Sequence, residues 1–144
     1  MTPTGDERPA LLVVDSSALV ALLADSGPAG SWVGTQIAGA TLAAPALAVF
    51  EVANVLRRQV AFGRLDETQG TLAHADLLAL ALQLWPYSLL AERAWQLRHN
   101  LTVYDACYVA LAELLVAPLI TLDVRTVRSA GPHCPIVTFP SPAS

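Results

Sequence analysis

The 144-residue chain is long enough for one domain with a full hydrophobic core. Its net charge of −4 excludes the globally basic surface of a general nucleic-acid binder, and its two cysteines are too few for a disulfide framework. Hydrophobic residues make up 54% and charged residues only 14% of the chain, against a usual charged share of about 25%, so part of the apolar surplus is expected to face another chain.

Residues 1–9 are polar and read as a loose tail. The run "ALLVVD" at 10–15 is short, apolar and β-branched, which predicts a buried parallel strand. "SSALVALLAD" follows as a helix whose start Asp15, Ser16 or Ser17 can cap. "SGP" interrupts it, and Pro28 suits the first turn of a second helix ending near Ile37. "ATLAAP" predicts a strand closed by Pro45, and 46–62 a long helix stopped by Gly63. A helix opening at Asp66, a strand in "LQLWPY" and a helix over 89–99 come next. Residues 102–116 predict a strongly apolar helix with Pro118 just beyond. "PLITLD" is then a strand, 123–129 a short helix and "PIVTFP" a last strand, before a Pro/Ser tail at 140–144.

One domain over 10–139 is therefore expected. Strands alternating with helices predict an α/β fold with a small, mainly parallel sheet covered on both faces. No membrane span is expected: the longest charge-free run, 26–50, is punctuated by Gly, Pro, Ser, Thr and Gln. Asp6 and Glu7 precede the first apolar run, where a secretory signal carries basic residues. A reducing cytoplasm is the expected location.

In such sheets ligands bind beyond the carboxyl ends of the strands. Asp15 ends the first strand and Asp123 follows the "LIT" strand, so both belong to the same rim. Asp105 sits one turn into a helix, three residues after Thr102. Glu51 lies inside "ALAVFEVANVL", on a helical face shared with Leu47, Asn54 and Val55. A carboxylate there is costly unless it is paired or bound to a metal. Each acid also has an ordinary structural explanation. Asp15 and Asp123 can cap helices, Thr102 and Asp105 have capping-box spacing, and Glu51 can reach solvent or an arginine.

Their order and context nevertheless allow convergence on one point. Crowded carboxylates either take up protons, with raised pKa values, or gather around a cation. An all-oxygen set selects a hard ion, Mg²⁺ or Mn²⁺. His74, His99 and His133 stand in no motif that would add softer ligands. Mg²⁺ held by few carboxylates keeps positions open for phosphate oxygens and an attacking water, which implies metal-assisted phosphodiester hydrolysis.

"LLVVDSSALVALL", "PALAVFEVANVLRR", "LTVYDACYVALAELLVAPLITLD" and "VRTVR" together resemble the PIN-domain ribonucleases, and among them the VapC toxins of bacterial toxin–antitoxin pairs. The resemblance spans about 10–139. It implies a three-layer α/β/α sandwich and a Mg²⁺-dependent endoribonuclease. The family's acidic set falls on Asp15, Glu51, Asp105 and Asp123, with none missing. Its small polar residue falls on Ser17 and its hydroxyl on Thr121, both placed to orient carboxylates. Asp15, Asp105 and Asp123 are expected to hold the ion, and Glu51 to complete its shell or orient the attacking water. The resemblance further implies an RNA substrate, a homodimer and a cognate VapB-type antitoxin. Arg57, Arg58, Arg125 and Arg128 are candidates for RNA-backbone contact, and Asn54 for a further polar site member.

Other acid-bearing α/β families fit less well. A receiver domain needs a lysine near its phosphoacceptor, and all eight basic residues here are arginine. A haloacid-dehalogenase-type phosphatase wants a second Asp where Ser17 stands, and "GPAGS" is no P-loop. The alternative that stays open is a non-catalytic PIN-like module that binds only RNA or its antitoxin.

Overall fold

In the computed structural model, which describes residues 10–140, the first apolar run forms β1 (Leu11–Val14) at the centre of the sheet. Val13 and Val14 are wholly buried, as expected of a strand covered on both faces. The other strands are β2 (Thr41–Pro45), β3 (Leu82–Trp85), β4 (Leu119–Thr121) and β5 (Ile136–Thr138). Their order is β3-β2-β1-β4-β5 and every pairing is parallel. The chain moves outward from β1 through β2 and β3, then restarts beside β1 with β4. The carboxyl ends of β1 and β4 therefore form the point where strand order reverses, which is where open parallel sheets leave a crevice.

The helices are α1 (Ser16–Ala24), α2 (Pro28–Ile37), α3 (Leu47–Ala61), α4 (Glu67–Ala79), α5 (Ala91–Gln96), α6 (Val103–Leu115) and α7 (Val124–Arg128). α1 packs on α2, α3 and α4, while α5 packs on α6, and α6 also meets β1 and β2. The result is a three-layer α/β/α sandwich. At Gly30 an added Cβ would sit 1.9 Å from the Asp25 carbonyl oxygen, so only glycine lets α2 cross the end of α1. Gly63 ends α3 in the left-handed conformation, φ +75°, as its place after the helix predicts. Asp66 caps α4 through a reciprocal capping box with Gln69.

The helix predicted over 89–99 is shorter than expected. A 3₁₀ turn at Tyr87–Leu89 precedes α5, and the chain folds back after Gln96, with the Leu97 carbonyl accepting from both Asn100 and Leu101 N–H. That bend lets Asn100 Nδ2 donate to the Ala130 carbonyl at 2.9 Å. Among the described residues no helix is long and apolar enough to cross a membrane. The apolar surplus reaches the surface at Phe50, Phe62, Leu89, Tyr104 and Val116. The tail predicted at 1–9, and all but Pro140 of the tail predicted at 140–144, lie outside the described residues.

Candidate active site

Asp15 directly follows β1 and is 7% exposed. It does cap α1: Oδ1 accepts from the Ala18 N–H at 3.0 Å. The same oxygen accepts from the Ser17 hydroxyl at 2.6 Å, and Oδ2 accepts from the Thr121 hydroxyl. Each hydroxyl in turn accepts a backbone N–H from the β4–α7 turn, Leu122 to Ser17 and Asp123 to Thr121, both at 2.9 Å. Two side chains thus fix one carboxylate and fasten the end of β1 to the end of β4. Burial pushes the Asp15 carboxyl above the usual carboxylate range. The bonds from Ser17, Thr121 and Ala18 resist that shift, and the nearby Asp123 charge adds to it.

Glu51 lies one turn into α3 and is half-buried, held by the Tyr108 hydroxyl, which donates to Oε1 at 2.5 Å. Burial raises its pKa, the tyrosine bond opposes the rise, and the charges of Asp105 and Asp15 increase it. Tyr108 itself is 1% exposed on α6. It is the partner that sequence reasoning missed. Its signal was present: a tyrosine set among Ala, Val and Leu in the most apolar part of the helix, three residues after Asp105, needs an acceptor when buried.

Asp105 is in the first turn of α6, where Thr102 caps the helix by accepting from the Asp105 N–H at 3.1 Å. Only this half of the capping box forms, which leaves the carboxylate available. Burial raises its pKa, the Thr102 hydroxyl lowers it, and the Asp123 charge raises it further. Asp123 caps α7 through the Arg125 N–H and is ion-paired with the Arg125 guanidinium at 3.0 Å. Burial pushes its carboxyl up, but the Arg125 bonds outweigh it and hold the group below the usual range.

One cleft of about 390 Å³ gathers these residues. α1 contributes Ser16, Ser17 and Val20, α3 contributes Glu51, Asn54, Val55 and Arg58, and Asp105, Asp123 and Arg125 complete the wall. Asp15 does not line it, but the Ser17 hydroxyl that it holds does. A larger cavity of about 480 Å³ lies between α3 and α4 around Leu56, Val60 and His74, and carries one carboxylate, Glu67. The acid-lined cleft is the smaller space, yet it joins three carboxylates at the reversal of strand order.

The sequence reading expected four acids to converge on one point. They share a cleft, but among the described residues no three His, Cys, Asp or Glu side chains stand close enough to enclose a metal ion. Asp123 is turned onto Arg125, and Asp15 is turned onto its two hydroxyls. The donor set is all oxygen, and three of its members are pushed towards protonation, first by burial and then by the charge of neighbouring carboxylates. That chemistry fits a hard divalent cation once Asp123 releases Arg125.

Of the four candidate arginines, Arg58 and Arg125 line the cleft. Arg57 and Arg128 do not. Arg57 is the next position around α3, about 100° away, and lines the α3–α4 cavity while its Nε donates to Asn54 Oδ1 at 3.0 Å. Arg128 lines a separate cavity with Val124, Val127 and Phe139. Asn54 does line the cleft, and His74, His99 and His133 are exposed away from it.

A family model described as the PIN domain matches residues 12–131. The chain is 38% identical over 126 residues to Ribonuclease VapC12 of Mycobacterium tuberculosis, an alignment covering 88% of this chain and 97% of that protein. Two solved structures share the fold. PAE2754 from Pyrobaculum aerophilum has a TM-score of 0.64 at 24% identity, covering 93% of this chain and 92% of that one. VapBC2 from Rickettsia felis, solved with a DNA fragment from its promoter, has a TM-score of 0.63 at 12% identity, covering 89% and 98%. The sheet order, the acidic cleft at its reversal point and the family match over nearly all of the described domain agree, and the chain belongs to the PIN-domain family.

Proposed function

We propose that this protein is a divalent-metal-dependent endoribonuclease, acting in the cytoplasm as the toxin of a toxin–antitoxin pair. The observation that carries the reading is the shared cleft: Glu51, Asp105 and Asp123 on its wall, with Asp15 joined to it through Ser17. The name of the relative, Ribonuclease VapC12, supports the reaction class. Asp15, Asp105 and Asp123 would hold Mg²⁺, with Mn²⁺ as a substitute, directly or through water. When bound, the ion supplies a polarised phosphoryl group and a more acidic water.

The remaining roles belong to the chain itself. Glu51, steadied by Tyr108, completes the shell or orients the attacking water. Ser17 and Thr121 keep both oxygens of Asp15 in place. Arg58 and Arg125 offer planar, bidentate contact to phosphate oxygens. A cognate VapB-type antitoxin and a second copy of the chain are the proposed protein partners, supported by the apolar surface at Phe50, Tyr104 and Val116.

The test is cleavage of structured RNA by purified protein with Mg²⁺, its arrest by EDTA, and its loss in Asp15→Asn and Asp105→Asn variants that melt like the parent. Growth arrest on expression of the parent alone, absent for Asp15→Asn, tests the toxin role. The open arrangement of carboxylates also suits a non-catalytic RNA- or antitoxin-binding module. RNA binding without cleavage under either ion would establish that reading instead.

A further inference from the structure

Along α3 the acidic cleft runs into a second cavity of about 230 Å³, lined by Val55, Arg58, Gln59, Phe62 and Arg64. Val55 and Arg58 line both spaces, so the two form one trough. The reason is helical periodicity. Glu51, Val55, Arg58 and Phe62 follow one another at spacings of four, three and four, which places them on one face. Chemistry changes along that face, from carboxylate to guanidinium to aromatic ring.

The far end is unusual for this chain. Three of its eight arginines fall within 57–64, although the net charge is −4. Neither Arg58 nor Arg64 takes part in an ion pair among the described residues. Phe62 is 76% exposed, just beyond the end of α3, and the turn that presents it is pinned: Gly63 N–H donates to the Val60 carbonyl and Arg64 N–H to the Gln59 carbonyl. An exposed ring beside two unpaired guanidiniums combines a stacking platform with phosphate contacts, the two devices by which single-stranded nucleic acid is held. A protein partner could cover Phe62 equally well, but a polyanion also gives both arginines a use, and Arg58 leads it directly from the acidic cleft.

We propose that this end of the trough is a nucleotide subsite. It takes one unpaired RNA residue flanking the cleaved phosphodiester, with the base on Phe62 and its phosphates between Arg58 and Arg64. The proposal rests on the ribonuclease reading above, because the acidic cleft is what makes RNA the polyanion.

The test uses the full chain carrying Asp105→Asn to suppress cleavage, and a fluorescent single-stranded RNA titrated at several salt concentrations. Adding Phe62→Ala should weaken binding about tenfold without changing the slope of log affinity against log salt, and Phe62→Trp should restore it. Adding Arg64→Ala should flatten that slope by about 0.7. Both residues are exposed, so melting temperatures should match the background protein. Unchanged affinity and slope in both variants, while the parent still cleaves RNA, would remove the subsite and leave the ribonuclease reading standing. No RNA binding by the background protein and no cleavage by the parent would end both. Unchanged RNA affinity together with a shift from dimer to monomer in Phe62→Ala would assign the ring to a protein contact and overturn the proposal.

Discussion

The Tyr108 hydroxyl donates to Glu51 Oε1 at 2.5 Å, across 57 residues of sequence and from α6 to α3. The bond sets which carboxylate oxygen of Glu51 stays free for the cleft. Burial and the Glu51 carboxylate both push the phenol's pKa up, so it remains a donor. Tyr108→Phe keeps the buried ring and removes only this bond. Its expected cost is about 2 kcal/mol of stability, typical of a hydrogen bond to a charged group. Cleavage should fall at least about tenfold with KM little changed. In a double-mutant cycle with Glu51→Gln, read by kcat, the two effects should be strongly non-additive.

Asp15 has a structural and a proposed catalytic role, and two substitutions separate them. Asp15→Ala strips the acceptor from Ser17, Thr121 and the Ala18 N–H together. Unsatisfied buried donors and the lost cap should cost about 2–4 kcal/mol in urea unfolding. Asp15→Asn preserves an acceptor and should cost much less. Cleavage should be lost in both. Equal stability of the two variants would show that the hydroxyl network does not stabilise the β1–β4 junction.

Stability should depend on pH in a direction set by the cleft. Asp15, Glu51 and Asp105 have pKa values raised above their ordinary ones, so the folded metal-free protein binds protons more tightly than the unfolded chain. Their contribution is fully present below the ordinary carboxylate range, near pH 4, and is lost as pH climbs through the raised values. Asp123 and Glu113 are lowered and act in the opposite sense, losing their contribution only in stronger acid. In EDTA the melting temperature should therefore drop as pH rises above the ordinary carboxylate range, about pH 4. Mg²⁺ or Mn²⁺ should recover it at the upper end and do little at the lower. A flat profile in EDTA would mean that neither burial nor neighbouring charge raises these three carboxyls.

Arg125 occupies Asp123 at 3.0 Å and is itself largely exposed. It competes with a cation for the same carboxylate. Arg125→Gln should lower the Mn²⁺ concentration needed for half-maximal binding several-fold, measured by calorimetry on RNA-free protein. If the affinity instead weakens, Asp123 is not the carboxylate that the arginine withholds.

A control site lies outside the cleft lining. Arg93 bonds both oxygens of Glu113, at 2.7 and 3.2 Å, and also the Gly131 carbonyl, while Glu113 accepts the His133 N–H. This clamp seats the loop that leads into β5. Glu113→Ala should cost about 2 kcal/mol and speed amide exchange in β5, leaving cleavage per folded molecule unchanged.

Much of this molecule could be read from the chain before any coordinates. The β-branched run at 11–14, the Pro and Gly punctuation and the capping residues define the elements because those preferences act within a few residues. The strand ends then carry Asp15 and Asp123 to one rim, and helical spacing gives Glu51, Asn54, Val55 and Arg58 a common face. Only the tertiary structure decided the rest. Arg128 lines a separate cavity with Val127 and Phe139, and the predicted 89–99 helix ends early at a bend that brings Asn100 to Ala130. Tyr108 finds Glu51, and Thr121 finds Asp15, through contacts that no local pattern encodes. A residue's type and spacing determine what it can bond and which way its own element points it. What it does bond depends on which distant groups the folded core brings within about 3 Å.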